Sequence, residues 1–158
     1  MLSPEDHLDN LVRHIRLVQD ATLLLGKRLI AAGRESFGRD LIKRGFVHDA
    51  SKFHGIEWDF LHQGPDVPQD ELVKAIKQHV TTNDHHPEYW GGVEKMPEIA
   101  VAEMVCDWYA RSQEFGTGLR EWFVEKASVK FRIRRNAKTW KRIQGFIDIL
   151  LDNAFKTV

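Results

Sequence analysis

Between Ser3 and Gly33 the chain sets Leu8, Leu11, Val12, Ile15, Val18, Leu25 and Leu29 at mixed three- and four-residue intervals. That is the repeat of a helix with one buried face. Ser3-Pro4-Glu5-Asp6 reads as its start, with Ser3 as N-cap, Pro4 at the first helical position and acids in the first turn. One long helix from about Pro4 to Ala32 is expected, ended by Gly33. The rest of the chain continues in the same period. A short helix from Arg34 to Arg44 should close at Gly45, and Trp58 to Val67, with Gly64-Pro65 inside it, reads as a loop. Val67-Pro68 opens a helix with Leu72, Val73, Ile76 and Val80 on one face and His79 beside it. Thr81 to Met96 is polar and irregular. Pro97 starts a helix that runs to Phe115 and stops at Gly116, with Ala100, Met104, Asp107 and Arg111 on one face. Further helices are expected from Leu119 to about Val129 and from Asn136 to Phe155, the last with Trp140, Ile143, Ile147 and Leu150 inward. No stretch alternates as a strand would, because Phe131-Arg132-Ile133-Arg134 is too short to claim one. The expectation is an all-α single domain over residues 1–158, a helical bundle with helices 119–155 appended to the segment 4–115.

Several classes are excluded by composition. The 158 residues carry 23 basic and 23 acidic side chains, so no net field draws the chain to nucleic acid or membrane. No apolar run approaches the ~18 residues of a spanning helix, and Met1-Leu2-Ser3-Pro4-Glu5-Asp6 lacks the basic start and apolar core of a signal peptide. The single cysteine, Cys106, allows no internal disulfide, and a cytoplasmic location is expected. It should be buried and inert.

The chemistry concentrates in Phe46-Val47-His48-Asp49-Ala50-Ser51-Lys52-Phe53. A neighbouring imidazole and carboxylate suit a borderline divalent metal such as Mn, Fe, Co, Ni or Zn, and Lys52 could meet an anionic substrate. Adjacent helical residues point ~100° apart, so both reach one ion only if it lies in the wedge between them. Other candidate ligands recur along the chain. His14 lies beside the first apolar stripe, His79 beside the third helix's face, and Asp107 on a largely apolar stretch where a carboxylate needs a partner. His85-His86-Pro87-Glu88-Tyr89-Trp90 is an odd composition for a mere connector, and loops on a rigid scaffold often carry function.

Taken together, a histidine on the first long helix, a His-Asp pair on the next and an aspartate on a later one resemble the HD-domain superfamily, over about Pro4 to Phe115. The resemblance implies an all-α metal-dependent phosphohydrolase in which His14, His48, Asp49 and Asp107 hold one divalent ion. More narrowly, the runs His48-Asp49-Ala50-Ser51-Lys52-Phe53, His85-His86-Pro87-Glu88-Tyr89-Trp90 and Glu103-Met104-Val105-Cys106-Asp107-Trp108 resemble a family of small, uncharacterised bacterial and phage HD-like proteins. Two departures matter. Nucleotidase-like members carry a glutamate where Lys52 stands, and members that cleave cyclic dinucleotides add a Gly-Tyr-Pro motif where this chain has Glu88-Tyr89-Trp90.

The resemblance implies a hydrolase acting on a nucleotide or another small phosphorylated metabolite. Lys52, His79, His85 and His86 are its candidate catalytic residues. His79 with His85 or His86 could instead hold a second ion, bridged to the first by Asp49, and a binuclear iron site could activate oxygen. Lys126, Lys130, Arg132, Arg134, Arg135, Lys138, Lys141 and Arg142 form a basic block without acids. That block could attract a nucleic-acid backbone, although a solvated helix face accounts for it as well, and Phe131 and Trp140 within it read as core anchors.

Overall fold

A computed structural model describes residues 3–62 and 66–152; the expected loop residues Gly64-Pro65 and the expected helix end at Phe155 lie outside them. The first helix, α1, spans Pro4–Ala31 and begins as its sequence dictates. The Asp6 N–H donates to Ser3 Oγ at 3.0 Å and the Ser3 N–H to Asp6 Oδ2 at 3.3 Å, a reciprocal capping box. Gly33 follows the helix at φ +85°, a left-handed conformation that costs glycine little.

Helix α2 (Glu35–Phe46) returns along α1, and small residues set how closely the two approach. A Cβ added to Gly38 would stand 2.5 Å from the Gly26 carbonyl oxygen, and one added to Gly26 2.8 Å from the Gly38 oxygen. Gly45 is the expected stop of α2 but lies inside it. Its missing side chain makes room for Thr22 of α1 rather than for a turn. This tight crossing carries the chain after α2 back towards His14.

The segment after α2 differs from expectation. His48 and Asp49 lie in a turn, not on a helix, ahead of a 3₁₀ turn (Ala50–Phe53) and helix α3 (Gly55–Phe60). Trp58 to Phe60, expected in a loop, therefore belong to α3, whose Glu57 is buried. Helix α4 (Gln69–Thr82) forms, but its expected apolar face turns inward only in part: Leu72 and Val80 are half-buried, Val73 and Ile76 are exposed, and Ala75 and His79 are the buried residues. The reason is that α4 rests on α3 and on the short α5 (Pro87–Trp90), which cover only the side bearing His79. The stretch expected as irregular holds α5 and a 3₁₀ turn (Val93–Lys95).

Helix α6 (Glu98–Phe115) is the centre of the bundle, packed against α1, α2 and the last helix, with Val101, Met104 and Val105 fully enclosed. Beyond Gly116, α7 (Leu119–Trp122), a π-turn (Phe123–Ala127) and α8 (Ser128–Lys130) make one continuous helical segment, as expected apart from the π-turn. Helix α9 (Lys138–Leu151) then buries Trp140, Ile143, Ile147 and Leu150, the expected face. Arg28 of α1 donates to the Leu150 carbonyl at 2.9 Å and so caps the end of α9. No strand occurs among the described residues. No described helix is long and apolar enough to cross a membrane. Seven of the eight residues of the basic block are exposed, whereas Trp140 is buried and Phe131 stacks on Trp108, so the block presents charge without an aromatic platform.

Candidate metal centre

The tight α1–α2 crossing sets His48 beside His14, with ring centroids 5.8 Å apart and both rings buried. Asp49 next adopts φ +57°, the left-handed region that aspartate tolerates better than most residues. This turn, rather than a helical wedge, lets two neighbouring residues serve one centre. The Asp49 carboxylate ends in the middle of a ring of imidazoles: His48 Nε2 at 3.4 Å, His14 Nε2 at 3.6 Å, and His79 and His85 Nε2 each at 3.3 Å. From α6, Asp107 Oδ1 approaches His14 Nε2 at 3.1 Å, and Asp107 Oδ2 lies 3.8 Å from His85 Nε2. His86 Nε2 is 3.0 Å from His79 Nε2. The structure thus brings together all seven histidine and aspartate candidates named from the sequence.

The outward nitrogens of these rings face glutamates. His48 Nδ1 lies 2.9 Å from Glu103 Oε1, His79 Nδ1 2.8 Å from Glu57 Oε2, and His14 Nδ1 3.3 Å from Glu114 Oε2. Glu103 Oε1 is also 3.5 Å from His85 Nδ1, and its Oε2 accepts from Arg44 Nε at 2.7 Å. Arg44 is held in turn by Asp84. A carboxylate on Nδ1 assigns the ring proton there and turns a bare Nε2 lone pair inward.

Several of those inward atoms are left without hydrogen bonds. The Nε2 atoms of His14, His48 and His85, both oxygens of Asp49 and Oδ1 of Asp107 are buried and have no hydrogen-bond partner. Lone pairs of nitrogen and oxygen gathered this way are costly, about 1–3 kcal/mol for each unsatisfied group, and a cation between them removes the cost. Two clusters that share Asp49 have ligand atoms within 4.8 Å of one another, His14-His48-Asp49 and Asp49-His79-His85-His86; a third set, His48-His85-Glu103, lies between them, and Asp107 falls in none of the three. The donor set therefore fits one divalent ion, and a second beside it. Without ions, protons take up part of the mismatch. Burial opposes charge on His48, but Asp49, Glu103 and Asp107 outweigh it and raise the ring to about 9. Asp49 and Asp107 are held well below the usual carboxylate range, because nearby imidazoles, and Lys52 for Asp49, overcome burial. His86 goes the other way: burial, then the neighbouring His85, lower it to about 3.

Lys52 Nζ lies 2.7 Å from Asp49 Oδ2, as a charge contact without hydrogen-bond alignment. Lys52 and His14 line a cavity of about 650 Å³ that leads to the centre. Tyr89 and Trp90 do not line it; Trp90 Nε1 donates to the Asp84 carbonyl at 2.7 Å and anchors the loop that carries His85. Cys106 is fully buried, and burial pushes its thiol pKa well up, so it stays protonated.

Sequence reasoning missed the glutamates. Glu103, Asp107 and Glu114 stand four and seven residues apart on one mostly apolar helix, the spacing of a single face, so two of the three could have been found. Glu57 gave no such signal, because its helix was read as a loop. A profile of DUF5662, a family of unknown function, matches residues 3–153. The chain belongs to that family. No curated protein and no solved structure matches it.

Proposed function

We propose that the protein is a divalent-metal-dependent phosphohydrolase of the HD-domain kind, acting on a small phosphorylated metabolite such as a nucleotide. One observation carries the reading. Imidazoles backed by glutamates point unpartnered nitrogens at two aspartates, one of which, Asp49, lies in both clusters. His14, His48, Asp49 and Asp107 would hold one ion; Asp49 with His79, His85 and His86 would hold a second. A bound ion would lower the pKa of its water and polarise a phosphoryl oxygen.

The chain's own groups supply orientation and charge. Glu57, Glu103 and Glu114 fix the ring tautomers. Hydrolysis adds water to phosphorus and breaks the ester P–O bond, and the charge that develops on the phosphoryl oxygens falls near Lys52 at the inner end of the cavity. In this reading Lys52 does not replace the nucleotidase glutamate as an acid/base group; it serves as a cation.

The shared Asp49 also supports a second reading, a binuclear iron centre that activates oxygen. Binding of nucleic acid is the weaker alternative, since the basic block lacks stacking side chains. Elemental analysis of the purified chain, then a phosphatase screen over nucleoside mono-, di- and triphosphates with added Mn, Co or Ni, tests the proposal. Metal near one or two ions per chain with phosphate release is expected. Two irons with oxygen consumption and no phosphate release would replace it with the second reading, and absence of metal would end both.

A further inference from the structure

We propose that the cavity holds a second anion subsite formed by Arg13 and Arg111 at its rim, so that the substrate carries another anionic group besides the phosphoryl group to be cleaved. The inference rests on the phosphohydrolase reading only for the first of these groups. Three permanent cations line the cavity, and each sits a short step from a candidate ligand. Arg13 precedes His14 on α1, Lys52 follows Asp49 by three residues, and Arg111 follows Asp107 by one turn of α6. Glu114 is the only carboxylate among the described lining residues.

The three cations are not equivalent. Lys52 is nearly enclosed and contacts Asp49, which places it at the inner end. Arg111 is half exposed, and its Nη1 donates to Glu114 Oε2 at 2.9 Å, the oxygen that also faces His14 Nδ1. Its guanidinium is thus anchored on one side with its other donors uncommitted. Arg13 has no hydrogen-bond or ion-pair partner among the described residues. Arginine forks match planar or tetrahedral anions through paired donors. A cavity of about 650 Å³ is of small-metabolite size, larger than one phosphate fills. Leu11, Leu61, Leu72 and Phe115 supply apolar wall between the charged groups. A phosphoryl group at the inner end is served by Lys52 and the ions, and two arginines are left over for a second phosphate or a carboxylate.

Calorimetric titration of the Mn²⁺-loaded full chain with three probes tests this: propyl phosphate, 3-phosphonooxypropanoate and propane-1,3-diyl bisphosphate. The bisphosphate should bind roughly tenfold to a hundredfold more tightly than propyl phosphate. Arg13→Gln, which touches none of the candidate ligands or their glutamates, should bring that ratio towards one, and Arg111→Gln should do the same. If 3-phosphonooxypropanoate matches the bisphosphate, the second group read is a carboxylate; if it matches propyl phosphate, it is a phosphate. Equal binding of all three probes, a ratio that survives both substitutions, or no binding of any probe overturns the subsite. Cleavage of propyl phosphate without discrimination sinks the subsite alone. Discrimination without cleavage of any ester under any metal sinks the hydrolase reading and leaves the subsite standing.

Discussion

Glu103→Gln should weaken both ions at once. Glu103 Oε1 faces Nδ1 of His48 at 2.9 Å and Nδ1 of His85 at 3.5 Å, while Oε2 accepts from Arg44. Glutamine keeps the shape but offers one acceptor and one NH₂ donor. Whichever way the amide turns, a donor faces either Arg44 Nε–H or the two imidazole N–H groups. Loss of such an outer partner costs about 10–100-fold in metal affinity, or about 1.4–2.7 kcal/mol. At saturating metal that is lost stabilisation, worth about 3–11 °C of melting temperature at this length. Of the two clusters that share Asp49, His48 belongs to one and His85 to the other, so both ions should lose affinity. Glu57→Gln touches only His79 among the candidate ligands and should weaken one ion. Chelator-competition titrations with Zn or Mn, alongside far-UV circular dichroism, read the difference. Affinity within about twofold of the parent protein at both ions, or a loss confined to one, would falsify the shared-glutamate reasoning.

Other outcomes are equally checkable. His48→Ala and Asp49→Ala should each strip metal while helical dichroism persists; unchanged metal content in both would remove the centre altogether. In the ion-free chain His48 titrates near 9 instead of 6.5. Its protonation therefore stabilises the fold fully below about 6.5 and stops doing so as pH rises through about 9. His86, lowered to about 3, acts on the acid side, where falling pH below 6.5 protonates the unfolded chain first and costs stability. Melting with chelator present should thus fall between pH 6.5 and 9, while metal-loaded protein, freed of proton competition, holds its melting temperature or gains; identical pH profiles for the two forms would contradict this. Gly38→Ala forces a Cβ against the Gly26 carbonyl and should destabilise by about 1–3 kcal/mol. A melting temperature unchanged by that substitution would show that α1 and α2 can separate freely.

Legibility followed the strength of local signals. The caps of α1, the glycine after α6 and the inward face of α9 are short-range chemistry, and they were readable from Ser3-Pro4-Glu5-Asp6, Gly116 and the spacing of Trp140, Ile143, Ile147 and Leu150. Helix α4 was misread in part because its apolar residues imply a buried face only if neighbours exist to bury it, and α3 and α5 are too short to do so. Gly45 was misread because a glycine that ends a helix and one that admits a neighbour's side chain look alike in sequence.

For the site, the sequence by itself determined which groups were available: imidazoles and aspartates at His14, His48, Asp49, His79, His85, His86 and Asp107, on helices or beside them. Residue type fixes what an atom can coordinate, and type needs no fold to be read. Only the tertiary structure decided that these atoms converge, that Asp49 stands in both clusters through a left-handed turn, and that Glu57, Glu103 and Glu114 hold the rings from behind. The three glutamate–histidine hydrogen bonds join residues 22 to 100 positions apart, brought together by helix packing, which no local periodicity encodes.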